Sequence, residues 1–198
     1  MRRFIRSDDY PQVLAIWQTC FGDNESYVRF FWENCLPMCR GLGFEQDNKL
    51  VAMLFLLPSA LEHECTHLAA EYVYAVATLP ECRSKGYAAQ LTGWAADIAC
   101  SEGKSALVLC PATRSLYDYY SKQGFTLAFC KRNTKHGRFA WPPHMLDYIR
   151  KEAALVGRDA PDASCENSPH GMLLALDNRA KQWLDATGGQ AYLNYTLE

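Results

Sequence analysis

The chain has 198 residues, 49% of them apolar, and a formal net charge of −2. This length suits one domain with a small appendage and is enough to bury a sizeable core. The charge is small and spread along the chain, which excludes a field aimed at nucleic acid or at an anionic membrane, so neither is expected as a partner.

In chain order, residues 2–6 alternate as a short strand, and Ser7, Asp8 and Asp9 supply helix-capping groups. Val13, Ile16, Trp17 and Cys20 then recur at helical spacing up to Phe21 and Gly22. Residues 24–35 repeat that logic, with Tyr27, Phe30, Phe31 and Cys35 along one side. Apolar runs at 43–45 and 50–57 read as strands, and the polar tetrapeptide at 46–49 as the hairpin turn between them. Residues 71–78 form another strand, rich in Val and Tyr and closed by Pro80. From Ser84 to Glu102 the period becomes helical, with Tyr87, Leu91, Trp94, Ala95 and Ile98 on one face. A buried strand at 106–110, a helix at 115–123 capped by Gly124 and a strand at 125–130 complete an α/β layer with crossover helices.

Beyond Arg132 the pattern gives a helix at 145–156 and a polar loop at 157–170. Apolar stretches at 172–176 and 192–197 could pair with each other around a helix at 179–186. The expected organisation is a core at 1–132 with a C-terminal α+β extension at 133–198 packed on it.

Nine cysteines invite a disulfide or metal reading. Their number is odd, none forms a Cys-x-x-Cys pair and most sit in apolar runs, so buried free thiols in a reducing compartment are expected. Residues 1–7 hold three arginines but lead into no apolar stretch of secretory length, and the run at 50–61 contains Pro58 and is too short to span a bilayer. A soluble, cytoplasmic protein without a resident metal is the resulting expectation.

The chemically informative segment runs from Val73 to Leu91: a strand, a tight loop and a helix start, with Arg83-x-x-Gly86-x-Ala88 in the loop. Amides converge at a helix N-terminus and the helix dipole adds positive potential there, so the segment reads as an anion site. Arg83 and Lys85 add cationic charge, and Gly86 and Ala88 keep the approach small. No Gly-Lys-Ser/Thr follows and the three-glycine pattern is missing, so neither a Walker loop nor a dinucleotide fingerprint is present. On spacing alone, an ordinary strand-to-helix turn with surface cations accounts for it equally well.

This segment resembles the acetyl-CoA-binding motif of the GCN5-related N-acetyltransferase (GNAT) family, Arg/Gln-x-x-Gly-x-Gly/Ala after a strand ending in Val-x-x-x-Pro. Downstream, Tyr120-Ser-Lys-Gln-Gly124-Phe125 is similar to the family's second motif, one helix and one strand further on. The match covers residues 1–130 and leaves the tail unexplained. The resemblance implies a mixed central sheet flanked by helices, acetyl-CoA as co-substrate, and transfer of its acetyl group to a primary amine of an unidentified small molecule or peptide. It further implies that Val76, Ala77 and Thr78 offer backbone groups to the pantetheine arm, and that the amides of Ser84, Lys85, Gly86, Tyr87, Ala88 and Ala89 wrap the pyrophosphate beside Arg83. Tyr120 stands at the place of the general acid, and Tyr117 and Tyr119 pack or line the mouth. Arg114 occupies a position where many members carry Asn, and Glu71 stands one residue from the strand glutamate that histone-type relatives use as base.

Two rival readings remain. His63-Glu64-Cys65-Thr66-His67 matches the zinc-protease pattern, which needs both histidines on one helix face, whereas Pro58 and a β-rich run place these residues in a turn or strand end. The second rival is an acetyl-CoA-binding sensor that has lost turnover. Oligomeric state is open, a homodimer being one possibility.

Overall fold

The computed structural model describes residues 1–130, 137–157 and 169–193. Strand β1 is Arg2–Phe4, followed by a 3-10 turn at Ser7–Asp9 and helix α1 at Tyr10–Phe21. Gly22 ends α1 in the left-handed region at φ 77°, its amide bonding back to Gln18. Helix α2, Glu25–Asn34, is capped by the Asn24 side chain, which accepts from the Tyr27 amide. Strands β2 (Arg40–Gln46) and β3 (Lys49–His63) are joined through Asp47 and Asn48, with φ of 52° and 59°, the residue types that tolerate a tight hairpin turn.

Strand β4 is Thr66–Thr78, α3 is Tyr87–Ser101, β5 is Ala106–Leu109, α4 is Arg114–Ser121 and β6 is Thr126–Cys130. The last part comprises β7 (Arg138–Ala140), α5 (Pro143–Leu155), β8 (Pro169–Ala175), α6 (Asn178–Thr187) and β9 (Ala191–Tyr192). This is a mixed α/β fold with a central sheet flanked by helices. No described helix is long and apolar enough to cross a membrane.

Two compact units partition the chain, Met1–Leu57 with Val73–Asp97, and Pro58–Tyr72 with Ile98–Glu198. In the first, strands follow the order β1-β2-β3-β4, with β2 antiparallel to β1 and to β3. Its core is an aromatic cluster in which Trp17 meets Phe31, Phe55 and Tyr74 at ring-centroid distances of 4.9, 5.8 and 5.8 Å. The polar atoms inside it are satisfied: Trp17 Nε1 donates to Asp23 at 2.7 Å, and the Tyr27 and Tyr74 hydroxyls share a 2.8 Å hydrogen bond. At its edge Arg3 grips the Asp9 carboxylate with two bonds of 2.6 and 2.8 Å and Glu45 with a third of 2.6 Å.

In the second unit, β4 pairs in parallel with β5 from Ala70↔Ala106 to Tyr72↔Val108. Strand β8 lies antiparallel between β5 and β6, β9 runs parallel to β6 and β7, and β7 pairs with β3 over residues 60–62. The expected partnership of 172–176 with 192–197 is therefore wrong: β8 takes β5 and β6 as partners and β9 takes β6 and β7. Residues 194–197 of that expectation lie outside the described residues. Asp177 ties this region together by capping α6 at the Ala180 amide and accepting from Ser105 Oγ, each at 2.8 Å.

Other boundaries also differ from expectation. Strand β3 continues through Pro58 to His63. Its register with β2 ends at Arg40↔Leu56 and with β7 begins at Ala60↔Ala140, so Pro58 falls in the gap between those two ladders. Of the cysteines, eight are described as free thiols, but only Cys35, Cys82 and Cys130 are buried, while Cys65 and Cys100 are exposed. Strand β4 contains a left-handed residue, Ala75 at φ 48°, three positions beyond its last pairing with β5.

Two outcomes test these constraints. Strand propensity favours valine at position 75, yet a β-branched residue is strained at positive φ, so Ala75→Val is expected to lower unfolding free energy by about 2 kcal/mol. A stabilised variant would contradict the left-handed assignment. Asp9→Asn removes one charge from a part-buried pair whose arginine keeps Glu45, and is expected to destabilise by about 1–2 kcal/mol at neutral pH. Arg3 above all holds the Asp9 carboxyl below its ordinary value. That stabilisation is present above the unfolded value and fades as pH falls through the folded one, so the wild-type advantage in melting temperature should close below about pH 4.

Candidate functional site

The loop between β4 and α3 is built entirely within the first unit. After Thr78 the chain passes Leu79, whose amide bonds to the Val51 carbonyl at 2.9 Å, then a 3-10 turn at Pro80–Cys82. Residues 83–86 form an exposed turn in which Ser84 and Gly86 both adopt left-handed backbone, φ 63° and 76°. Helix α3 begins directly after it, at Tyr87, with the Gln90 amide closing its first bond on the Gly86 carbonyl. Left-handed residues alternating with ordinary ones turn successive N–H groups toward one side, and the first turn of a helix leaves its amides without intrahelical acceptors. The two features coincide here, an arrangement that in general suits an anion.

The requirement for glycine at position 86 is conformational. A Cβ there would meet nothing nearer than Gln90 Nε2 at 4.0 Å, so the left-handed backbone, and not crowding by protein atoms, selects glycine. The helical stretch expected from Ser84 thus starts three residues later, because Ser84, Lys85 and Gly86 form the turn that precedes it.

Each of the ten cofactor residues expected from sequence can be placed. Val76 and Thr78 are half-buried and Ala77 is buried at the end of β4; Arg83, Ser84, Lys85 and Gly86 are exposed; Tyr87, Ala88 and Ala89 are half-buried in the first turn of α3. Arg83 Nε donates to the Thr78 carbonyl at 3.2 Å, so this arginine also clips the loop to the strand. The same carbonyl accepts from Cys20 Sγ at 3.4 Å. Thr78 Oγ1 is buried and has no hydrogen-bond partner among the described residues, an orphaned polar atom of the kind a bound ligand satisfies.

Sequence reasoning missed the anchor of this loop. The Tyr87 ring stacks on Phe44 at 4.2 Å and 19°, and its hydroxyl donates to Gln46 Oε1 at 2.8 Å. Strand β2 therefore fixes the start of α3. No local signal announces a pair forty residues apart; the aromatic pattern of β2 is its only trace in the sequence.

In the second unit, Tyr120 lies in the last turn of α4, buried at 6% exposure. Its ring packs edge-on against Tyr119 and Phe125 at 5.0 and 5.6 Å. Burial first, and then Tyr119, push its phenol well above the ordinary tyrosine value, so it holds its proton throughout the neutral range. Tyr117 and Tyr119 are half-buried neighbours, both also raised mainly by burial. Glu71 is buried at 2% exposure and pairs with Lys104 Nζ at 3.4 Å. Residues His63–His67 form the turn from β3 to β4, with Glu64 at φ 50° and His67 Nδ1 3.5 Å from Glu62. That is a hairpin end and not the helix face that the zinc-protease reading requires. Among the described residues no group of three or more His, Cys, Asp or Glu side chains assembles to hold a metal ion.

Loss of the Tyr87 hydroxyl removes one hydrogen bond, worth about 1 kcal/mol. Tyr87→Phe is expected to leave global unfolding nearly unchanged while amides 86–89 lose roughly fivefold of their hydrogen-exchange protection relative to those near Ser101. Uniform loss along α3 would contradict a local anchoring role.

A family model described as an acetyltransferase (GNAT) domain matches residues 2–128. No curated protein matches the chain. Among solved structures, the chain is similar to a GNAT family N-acetyltransferase (YhbS) from Escherichia coli in complex with CoA, at 16% identity and a TM-score of 0.62, covering 98% of this chain and 87% of that one. It is also similar to the ribosomal-protein-S18-alanine N-acetyltransferase from Escherichia coli, at 16% identity and TM-score 0.58, covering 89% and 94%. A probable N-acyltransferase from Enterococcus faecalis matches at 15% identity and TM-score 0.59, covering 65% of this chain but 33% of that one, so this chain spans about a third of that relative's length. At these identities the structures speak for the fold, while the family match extends over more than half of the sequence. The chain belongs to the GNAT acetyltransferase family.

Proposed function

We propose that the protein binds acetyl-CoA at the β4–α3 loop and transfers its acetyl group to a primary amine of a small molecule or peptide. The observation that carries this reading is the pair of left-handed residues, Ser84 and Gly86, leading directly into the N-terminus of α3 in a chain of this family. The amides of residues 84–89 hold the pyrophosphate, with Lys85 and the remaining donors of Arg83 adding positive charge. Val76, Ala77 and Thr78 lend backbone groups to the pantetheine arm, and the orphaned Thr78 hydroxyl gains a partner. The co-substrate supplies an activated thioester.

Tyr120 acts on the departing sulfur. An ordinary thiol titrates near 8.5, below a phenol, and burial widens the gap. Complete proton transfer from Tyr120 is therefore uphill, and its contribution is a hydrogen bond that strengthens as charge develops on sulfur. The acceptor amine must arrive neutral, since an ammonium has no lone pair to attack the carbonyl. Glu71, already paired with Lys104, is a weaker candidate for that proton than a water relay or a group contributed by 133–198.

Thermal-shift titration with acetyl-CoA tests the loop. Wild type is expected to gain stability by mass action, and Gly86→Glu, which adds charge and strain to the amide nest, to lose that gain while staying folded. A normal shift in the variant would overturn the assignment. Tyr120→Phe keeps the packing ring and should lower kcat by ~10²-fold with little change in acetyl-CoA affinity. A wild-type kcat with a confirmed amine would remove Tyr120 from the reaction.

A further inference from the structure

One nucleophilic cluster stands outside the proposed chemistry. Cys110 follows the last residue of β5, and β8 runs antiparallel alongside with Met172 opposite Leu109. That register brings His170 to Cys110, whose Sγ lies 3.8 Å from His170 Nδ1 and donates to the His170 carbonyl at 2.7 Å. Both side chains are half-buried, and Gly171 keeps the strands close, since a Cβ there would stand 2.6 Å from Leu193 Cδ2 and 3.3 Å from the Leu109 carbonyl. Tyr117 approaches from α4, its phenol raised first by burial and then by Cys110.

Among the other described cysteines, Cys20 and Cys39 are half-buried. Cys35, Cys82 and Cys130 are buried, Cys130 donating to the Gln190 carbonyl and Cys20 to that of Thr78. Cys65 and Cys100 are exposed, and among the described residues neither hydrogen-bonds to a histidine ring. Thiol nucleophilicity depends on removing the sulfur proton, and an imidazole nitrogen within reach is the side chain best matched to that task near neutral pH. With the thiol proton directed at the His170 carbonyl, the imidazole acts as the sulfur attacks, not beforehand.

We propose that Cys110 and His170 form a thiol–imidazole pair that reacts with small disulfides, making Cys110 a site of mixed-disulfide modification. In the step, Cys110 Sγ attacks one sulfur of the disulfide while its proton passes to His170 Nδ1. The original S–S bond breaks, a new one forms to Cys110, and the second sulfur leaves as a thiolate. The disulfide is the oxidant, and one thiol is released for each protein thiol consumed.

The test uses the full chain and substoichiometric 5,5′-dithiobis(2-nitrobenzoate), with labelled cysteines identified by peptide mass mapping over time. Cys110 is expected to label at least as fast as exposed Cys65 and Cys100 despite its partial burial. His170→Gln, which keeps the backbone carbonyl and removes the base, should slow Cys110 by about tenfold or more and leave Cys65 unchanged. Slower labelling of Cys110 than of both exposed cysteines in wild type, or an unchanged rate in the variant, overturns the proposal. Labelling of buried Cys35 would report a misfolded variant; the wild-type order and His170→Asn then decide by the same criteria. The outcome is independent of acetyl-CoA binding, which is read separately by thermal shift.

Discussion

The cofactor reading depends on backbone that ordinary residues avoid. Ser84 and Gly86 hold φ of 63° and 76°, and the first of them is not glycine. Such conformations cost on the order of 1–3 kcal/mol each and persist where the surroundings over-determine them. Glycine at 86 lowers that cost at the position directly before the start of α3.

Strain of this kind needs a rigid support, and the first unit provides it. The Phe44–Tyr87 stack and the Tyr87–Gln46 hydrogen bond pin the start of α3 to β2, while Arg83 ties the turn back to Thr78. Beneath them, Trp17 fixes α1 against Phe31, Phe55 and Tyr74, so that β3 and β4 share one packed aromatic core. The loop's side chains are exposed, yet the elements on either side of it are held by buried contacts. Preorganisation of this sort lets backbone amides serve as a binding surface without an ordering cost on ligation.

Local features were legible from sequence because local chemistry determines them. Gly22 and Asn24 cap helices where the residue types require, Asp47 and Asn48 turn the first hairpin, and the loop around Gly86 stands where its spacing places it. Long-range pairing was not legible. Nothing near Met172 signals that β8 slots between β5 and β6, since its apolar run suits any buried strand. Pro58 suggested a break in β3, but the strand runs on through it between the β2 and β7 ladders. Gly86 and Tyr120 stand out in the sequence through motifs. Ala75, the Tyr87 anchor and the Cys110–His170 pair escaped because each depends on a φ angle or a partner distant in sequence.

The central claim is that the amides of residues 84–89 bind the pyrophosphate of acetyl-CoA. Amide-resolved NMR titration of the full chain with CoA measures this most directly, because each backbone N–H reports its own hydrogen bond. The expected result is large, saturable shifts at Ser84, Lys85, Gly86, Tyr87, Ala88 and Ala89, with the Gly86 and Ala88 amides moving downfield as they acquire anionic acceptors. Saturable binding that leaves these amides unmoved and shifts another surface would contradict the account.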